Sequence, residues 1–264
     1  MKPKYYVVSF SGGKDSTAML FHLLELQEPV DEVICCDSYK EFPQMYEHIE
    51  KVKLMVEEKG VKFTTLRNEN SFDYFMFEHE PKRKNPDLFG YKGYSWAGSR
   101  SRWCTARLKT DIIGRYIREL EKEYTVKQYI GLAADEQKRI ERANNQNANH
   151  IHPLAKWDWT EAQCLEYCYS IGFDWGGLYE YFDRVSCWCC PLQSLEDLRK
   201  LKKHFPELWD ELQQMDKMTW RKFRADYSVE ELDKRFELED RWTAEGKNIR
   251  SKAFFAELKQ TLQR

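Results

Sequence analysis

Ser9-Phe10-Ser11-Gly12-Gly13-Lys14-Asp15-Ser16-Thr17 is the stretch on which the fold turns. Tyr5-Tyr6-Val7-Val8 before it is β-branched and aromatic, which predicts a short buried strand. Ala18 to Leu24 after it is apolar and predicts a helix. A strand that passes through two glycines into a helix N-terminus makes an anion site. The glycines let backbone approach phosphate, and the unpaired N–H groups of the first helical turn point at it. Lys14 adds positive charge there, and Ser11, Ser16 and Thr17 add hydroxyl donors. The Walker A spacing G-x-x-x-x-G-K-[ST] and the dinucleotide pattern G-x-G-x-x-G do not fit these residues.

The pattern continues outward. Glu32–Cys36, Val61 to Leu66 and Val126 to Leu132 read as strands. Pro43 to Lys59 reads as a helix closed by Gly60. Ala106 to Tyr124 reads as a long amphipathic helix with Ile112, Ile113, Tyr116, Ile117 and Leu120 on one face. Such alternation predicts an α/β fold, a doubly wound, mainly parallel sheet with helices on both faces and ligands at the carboxyl ends of the strands. Residues 68–102 break the alternation with glycines, prolines and aromatics, and read as an insertion or lid. Residues 194–264 are charged and periodic, with Val229, Leu232, Phe236, Leu238 and Trp242 marking amphipathic helices. The expected organisation is a nucleotide-binding domain over 1–193, with 68–102 as its insertion, and a helical C-terminal extension over 194–264.

The 42 basic and 44 acidic residues leave a net charge of −2, so there is no global attraction to nucleic acid. Lys82-Arg83-Lys84 with Arg100, Arg102 and Arg107 is a local basic group that suits a polyanion, although charge runs are commonly solvated faces. No apolar run reaches the ~20 residues of a membrane span, and no membrane partner is expected. Met1-Lys2-Pro3-Lys4 leads directly into the first strand with no signal-peptide core, so the expected compartment is the cytosol. In that compartment eight cysteines point to metal, cluster or redox chemistry before disulfides.

Cys187-Trp188-Cys189-Cys190 has a C-x-x-C spacing that lets two thiolates share a metal or cluster. Cys104 falls at a predicted helix start beside Arg102 and Arg107, where a thiolate is stabilised. Cys189 is the fourth candidate ligand. Cys35, Cys36, Cys164 and Cys168 lie in apolar surroundings and read as core.

S-G-G-K-D-S after an N-terminal strand resembles the PP-loop of the ATP pyrophosphatases. Cys36-Asp37-Ser38 with Glu41-Phe42-Pro43 resembles a "D-T-G … E-F-P" segment, and Trp103-Cys104-Thr105 with Lys109 a "W-C-T … L-K" helix start. Gly131-Leu132-Ala133-Ala134-Asp135-Glu136 with Arg139 resembles "G-x-R-x-x-E-S-x-x-R". His152-Pro153-Leu154, Trp157, Trp159-Thr160 and Leu178-Tyr179 resemble the run into the paired cysteines. Over roughly residues 5 to 195 the chain resembles the phosphoadenosine phosphosulfate (PAPS) reductase-like branch of that superfamily.

The resemblance implies an adenine nucleotide alpha hydrolase-like fold. It implies ATP and Mg²⁺ bound by Ser9, Ser11, Gly12, Gly13, Lys14, Asp15, Ser16, Thr17, Asp37 and Gly131, with Lys14, Asp15 and Arg139 in catalytic roles. It also implies a 4Fe–4S iron–sulfur cluster, or alternatively Zn²⁺, on Cys104, Cys187, Cys189 and Cys190. The kept S-G-G-K-D-S loop, and the lack of a cysteine after Cys190, resemble the ATP-using sulfate adenylyltransferase and DNA phosphorothioation members more than true reductases. The expected function is therefore ATP-dependent adenylation of a substrate coupled to sulfur transfer, with the sulfur donor and acceptor unnamed. The alternatives are a PAPS or adenylyl sulfate reductase, and a non-enzymatic nucleotide-binding subunit with structural zinc.

Overall fold

In the computed structural model, which describes residues 2–144 and 147–263, five parallel strands stand in the order β3-β2-β1-β4-β5. They are β1 (Lys4–Phe10), β2 (Glu32–Cys36), β3 (Lys62–Leu66), β4 (Thr125–Ile130) and β5 (His150–Ile151). The order reverses at β1, which pairs with β2 through Val8↔Val33 and with β4 through Val8↔Tyr129. This is the doubly wound arrangement expected from the sequence, with its switch point at the end of β1.

Helices α1 (Lys14–Glu25) and α2 (Pro43–Glu58) follow β1 and β2, and α3 (Asp111–Leu120) precedes β4. Val7, Ile34, Leu66 and Val126 share one core cluster with Ile112, against which Ile113, Tyr116, Ile117 and Leu120 pack. The amphipathic face read from the sequence is thus the one that covers this side of the sheet. On the other side Phe10 meets His48 of α2, with ring centroids 6.2 Å apart. Next come α4 (Gln137–Asn144) and α5 (Glu161–Ser170). α5 covers α1, with His22 and Tyr167 rings 5.8 Å apart, so α1 is buried along most of its length.

Three boundaries differ from expectation. The long helix of 106–124 is instead a turn at Trp103–Thr105, a wide π turn at Ala106–Thr110 and then α3, which stops at Leu120. Beyond α3, Tyr124 turns back to meet Tyr5 at 4.7 Å and leads straight into β4. β4 ends at Ile130 because Gly131 and Leu132 turn away past the start of α1, Leu132 N–H donating to the Ile130 carbonyl at 3.0 Å. β5 was not foreseen: it is two residues long and carries no apolar run.

The chain divides into one unit of residues 1–71 and 104–187 and a second of 72–103 and 188–264. The segment read as an insertion therefore folds with the C-terminal helices α6 (Leu195–His204), α7 (Pro206–Lys217), α8 (Val229–Ala244) and α9 (Lys252–Leu262). Its Trp96 explains why: the buried ring meets Phe223 edge-on at 4.8 Å and its Nε1–H donates to Asp216 at 2.8 Å. The apolar positions Val229, Leu232, Phe236, Leu238 and Trp242 are all buried, and Phe254 and Leu258 of α9 close over Leu238 and Trp242. Among the described residues no helix is long and apolar enough to cross a membrane.

Candidate functional site

β1 delivers Ser11-Gly12-Gly13 to the start of α1. Gly12 has φ +81°, and a Cβ there would stand 2.6 Å from Met45 Sδ, so both conformation and space require glycine. Its carbonyl accepts the Trp175 indole N–H at 2.7 Å. Gly13 is the extended N-cap of α1 and supplies no side-chain cap, which leaves the positive end of the helix to other partners.

The expected hydroxyl set divides. Ser16 Oγ donates to the Gly13 carbonyl at 3.0 Å and accepts from Ser11 N–H at 3.2 Å. Thr17 is fully buried, donates to the same carbonyl at 3.0 Å and meets His48 Nε2 at 3.0 Å. These two hydroxyls brace the loop. Burial among aromatic rings pushes the His48 pKa down to about 3, so the imidazole is neutral. Ser9 lies on β1, where its hydroxyl accepts from Gln128 at 2.6 Å.

Lys14, the first residue of α1, is only 5% exposed. Its Nζ donates to Glu161 Oε2 at 2.5 Å and reaches the Asp183 carbonyl at 3.5 Å, while its backbone N–H donates to the Tyr179 hydroxyl at 2.9 Å. Asp15 follows, with a buried Oδ1 that has no hydrogen-bond partner and lies 4.0 Å from Lys14 Nζ. Burial raises the Asp15 pKa to about 6; Lys14 opposes the rise, and Glu161, Glu136 and Asp135 add to it. Gly131, just beyond β4, belongs to this wall: a Cβ on it would meet Ser16 Cα and N at 3.2 Å, closer than ordinary packing. Arg139 is half-exposed and paired with Glu136.

A second polar group gathers where β2 ends. Asp37 Oδ1 accepts from Tyr39 N–H at 2.7 Å and the Tyr46 hydroxyl at 2.9 Å, while Oδ2 pairs with Arg67 at 2.9 Å. Tyr39 adopts φ +65° where the resembling pattern has glycine, and its hydroxyl holds the Asn68 carbonyl at 2.6 Å. Glu41 Oε1 is the hub of the neighbouring cluster. It accepts from Ser38 Oγ at 2.7 Å, Lys109 Nζ at 3.3 Å and the Cys187 thiol at 3.4 Å. Burial opposes the charge on Lys109, yet Cys187 and Glu41 outweigh it and hold the ammonium pKa above its ordinary value.

The cysteines fall as follows. Cys35, Cys164 and Cys168 are buried core residues, and burial pushes the Cys35 and Cys164 thiols up to about 12. Cys36 is partly exposed, its thiol 4.0 Å from the Lys109 carbonyl. Cys104 and Cys187 belong to the first unit, Cys189 and Cys190 to the second. Among the described residues no group of three or more His, Cys, Asp and Glu side chains is arranged to hold a metal ion.

Glu161, Trp175 and His48 were not singled out from the sequence, and Tyr179 entered only as part of the resembling run. The T-x-x-Q spacing of Thr160 and Gln163 was the available signal for Glu161. It forms a capping box that makes Glu161 the first residue of α5 and turns it toward Lys14.

Two uncharacterized proteins of Methanocaldococcus jannaschii resemble the chain, one at 28% identity over 78% of it and the other at 25% over 79%. The matches cover 40% and 47% of those relatives, so the chain spans less than half the length of the curated proteins it matches. Among solved structures, the U34-tRNA thiolase NcsA from Methanococcus maripaludis with its 4Fe–4S cluster is similar at 15% identity and a TM-score of 0.40, over 89% of this chain and 73% of that one. Residues 5–193 match the model of the phosphoadenosine phosphosulfate reductase domain. The loop after β1, the strand order and that match together establish that the chain belongs to the phosphoadenosine phosphosulfate reductase family of the PP-loop superfamily.

Proposed function

We propose that the chain binds ATP at Ser9–Thr17 and adenylates an oxygen of its substrate, releasing pyrophosphate, so that a sulfur nucleophile can then displace AMP. The observation that carries the reading is the buried lysine at the start of α1. A cation at the positive end of a helix is unfavourable on its own, and burial makes it more so. Lys14 is held there against Glu161, in a loop that glycine-only geometry keeps open to an anion. Phosphate oxygens satisfy the ammonium and the helix end together, and both stabilise charge that develops on the leaving pyrophosphate.

The orphaned Asp15 oxygen suits Mg²⁺, which takes one or two carboxylates alongside nucleotide phosphates. Bound there, the ion would neutralise phosphate charge. The kept S-G-G-K-D-S sequence favours ATP over PAPS. Arg139 is proposed as a substrate contact and Asp37 as the residue that shapes the ribose end of the loop. The sulfur-ligated centre expected at Cys104, Cys187, Cys189 and Cys190 stands as a separate proposal. Its test is iron and sulfide analysis of anaerobically prepared protein, with Cys187→Ala and Cys190→Ala expected to lose both.

Pyrophosphate release tests the reaction. Labelled ATP should yield pyrophosphate with the acceptor substrate present and free AMP once a sulfur nucleophile is added, and Lys14→Ala should abolish the pyrophosphate release. Sulfite formed from PAPS with a thiol reductant would instead establish the reductase alternative.

A further inference from the structure

The second unit carries a surface with a chemistry of its own. Between residues 80 and 102 six lysines and arginines face two acids, Glu80 and Asp87, in a chain whose net charge is −2. Lys92 is paired with Glu80 at 3.2 Å, whereas Lys82, Lys84, Arg100 and Arg102 stand exposed. Arg221, also exposed, lies over Gly98, so close that a Cβ on the glycine would come within 3.1 Å of its guanidinium.

The aromatics of this segment divide by burial. Trp96 and Trp103 are core residues, while Phe89 is 62% and Tyr91 49% exposed. The loop that carries them is pinned around Tyr91. Tyr91 lies 5.3 Å from Trp220 at an interplanar angle of 35°, and the Arg83 guanidinium covers the Trp220 ring at 4.9 Å. Arg83 also donates to the Tyr91 carbonyl at 3.0 Å and the Gly93 carbonyl at 2.5 Å, and Trp220 Nε1–H donates to the Lys92 carbonyl at 3.1 Å. Gly93 sits so tightly against the turn at Tyr74–Glu78 that a Cβ would fall 1.9 Å from the Met76 carbonyl. The loop is therefore held in place with its rings outward, although rings of that size normally drive themselves into a core.

We propose that this surface binds an unpaired nucleic-acid strand, with Phe89 and Tyr91 stacking bases and Lys82, Lys84, Arg100, Arg102 and Arg221 meeting phosphates. Exposed rings on a segment rich in exposed cations match single strands, whose bases offer π-faces that a duplex hides. An acidic peptide would use the cations and leave the rings without a function. The inference is independent of the nucleotide reading, because it concerns residues 72–103 and 188–264 alone.

The test is fluorescence anisotropy of the full chain with labelled single-stranded RNA and DNA of about 12 nucleotides, and with the matching duplex, a length that spans a typical single-strand site. Either single strand should bind more tightly than the duplex, and binding should weaken about tenfold or more between ~50 and ~200 mM salt. The tighter of RNA and DNA names the source of the strand. Phe89→Ala with Tyr91→Ala should weaken binding about tenfold or more at unchanged melting temperature, since each stacked base contributes ~1–3 kcal/mol. Lys82→Gln with Lys84→Gln should lower the salt slope by about 1–2. No binding to either strand, preference for the duplex, or binding indifferent to the ring variants would overturn the proposal. So would competition by polyglutamate equal to that of the strand itself.

Discussion

Lys14 and Glu161 are each the first residue of a helix, and their charged ends meet at 2.5 Å. The two ends are not equivalent. A carboxylate at a helix N-terminus interacts favourably with the macrodipole, whereas an ammonium does not. Glu161 is thus at home without its partner, and Lys14 is the member that needs an anion. A phosphate entering the loop competes with Glu161 for the same ammonium. Glu161→Gln should therefore tighten nucleotide binding about fivefold, the value of roughly 1 kcal/mol for a part-exposed ion pair. Calorimetric titration of the two proteins checks it; weaker binding by the variant would make Glu161 a ligand-side residue.

Asp15 should leave a mark on stability. Its pKa is raised from 3.8 to about 6 by burial, so the folded chain holds the proton more tightly than the unfolded chain. Stability contributed by this group falls as pH rises from ~4 to ~6, and the cost is complete above that window. Asp15→Asn should be more stable than the parent at neutral pH by about 1–3 kcal/mol and gain nothing near pH 4. Urea unfolding at both pH values reads the difference, and because His48 is present in both proteins its own titration cancels. A gain that is equal at the two pH values would contradict the account.

The glycine requirement at position 12 is steric and conformational together. Gly12→Ala places a methyl 2.6 Å from Met45 Sδ at φ +81° and should cost about 1–3 kcal/mol. Met45→Ala alone opens a cavity, but combined with Gly12→Ala it should recover part of the loss. A double mutant whose cost is the simple sum would show that the clash is not the cause.

Much of the first unit could be read in advance because its signals are local. A β-branched run gives β1, glycines followed by an apolar stretch give the loop and α1, and the face of Ile112, Tyr116 and Leu120 gives the cover of the sheet. What could not be read depends on distant partners. Nothing near Glu161 in sequence announces that its carboxylate meets Lys14, 147 residues earlier. Residues 68–102 read as an insertion because they break the period. Their attachment to the C-terminal helices comes from Trp96 and Asp216, which lie 120 residues apart. The cysteines show the same limit. The C-x-x-C spacing is visible, but the partners of Cys187 in the first unit, Ser38, Glu41 and Lys109, come from other elements.

That Trp96–Asp216 link should be measurable. Asp216 accepts from Trp96 and from Val229 N–H at the start of α8. Trp96→Phe keeps the ring and removes one donor from a half-buried carboxylate whose pKa burial already raises, which should cost about 1–3 kcal/mol. Melting of the whole chain reads it, and Asp216→Asn in the same background should cost less than in the parent, because the two share one bond.

The central claim is that Ser9–Thr17 holds the phosphates of ATP, and calorimetric titration with ATP·Mg²⁺ and with PAPS tests it most directly. The account predicts saturable binding of ATP, weakened about tenfold or more by Lys14→Ala through loss of charge-assisted contacts to phosphate. Tight PAPS binding with no response to ATP, or ATP binding that Lys14→Ala leaves unchanged, would contradict it.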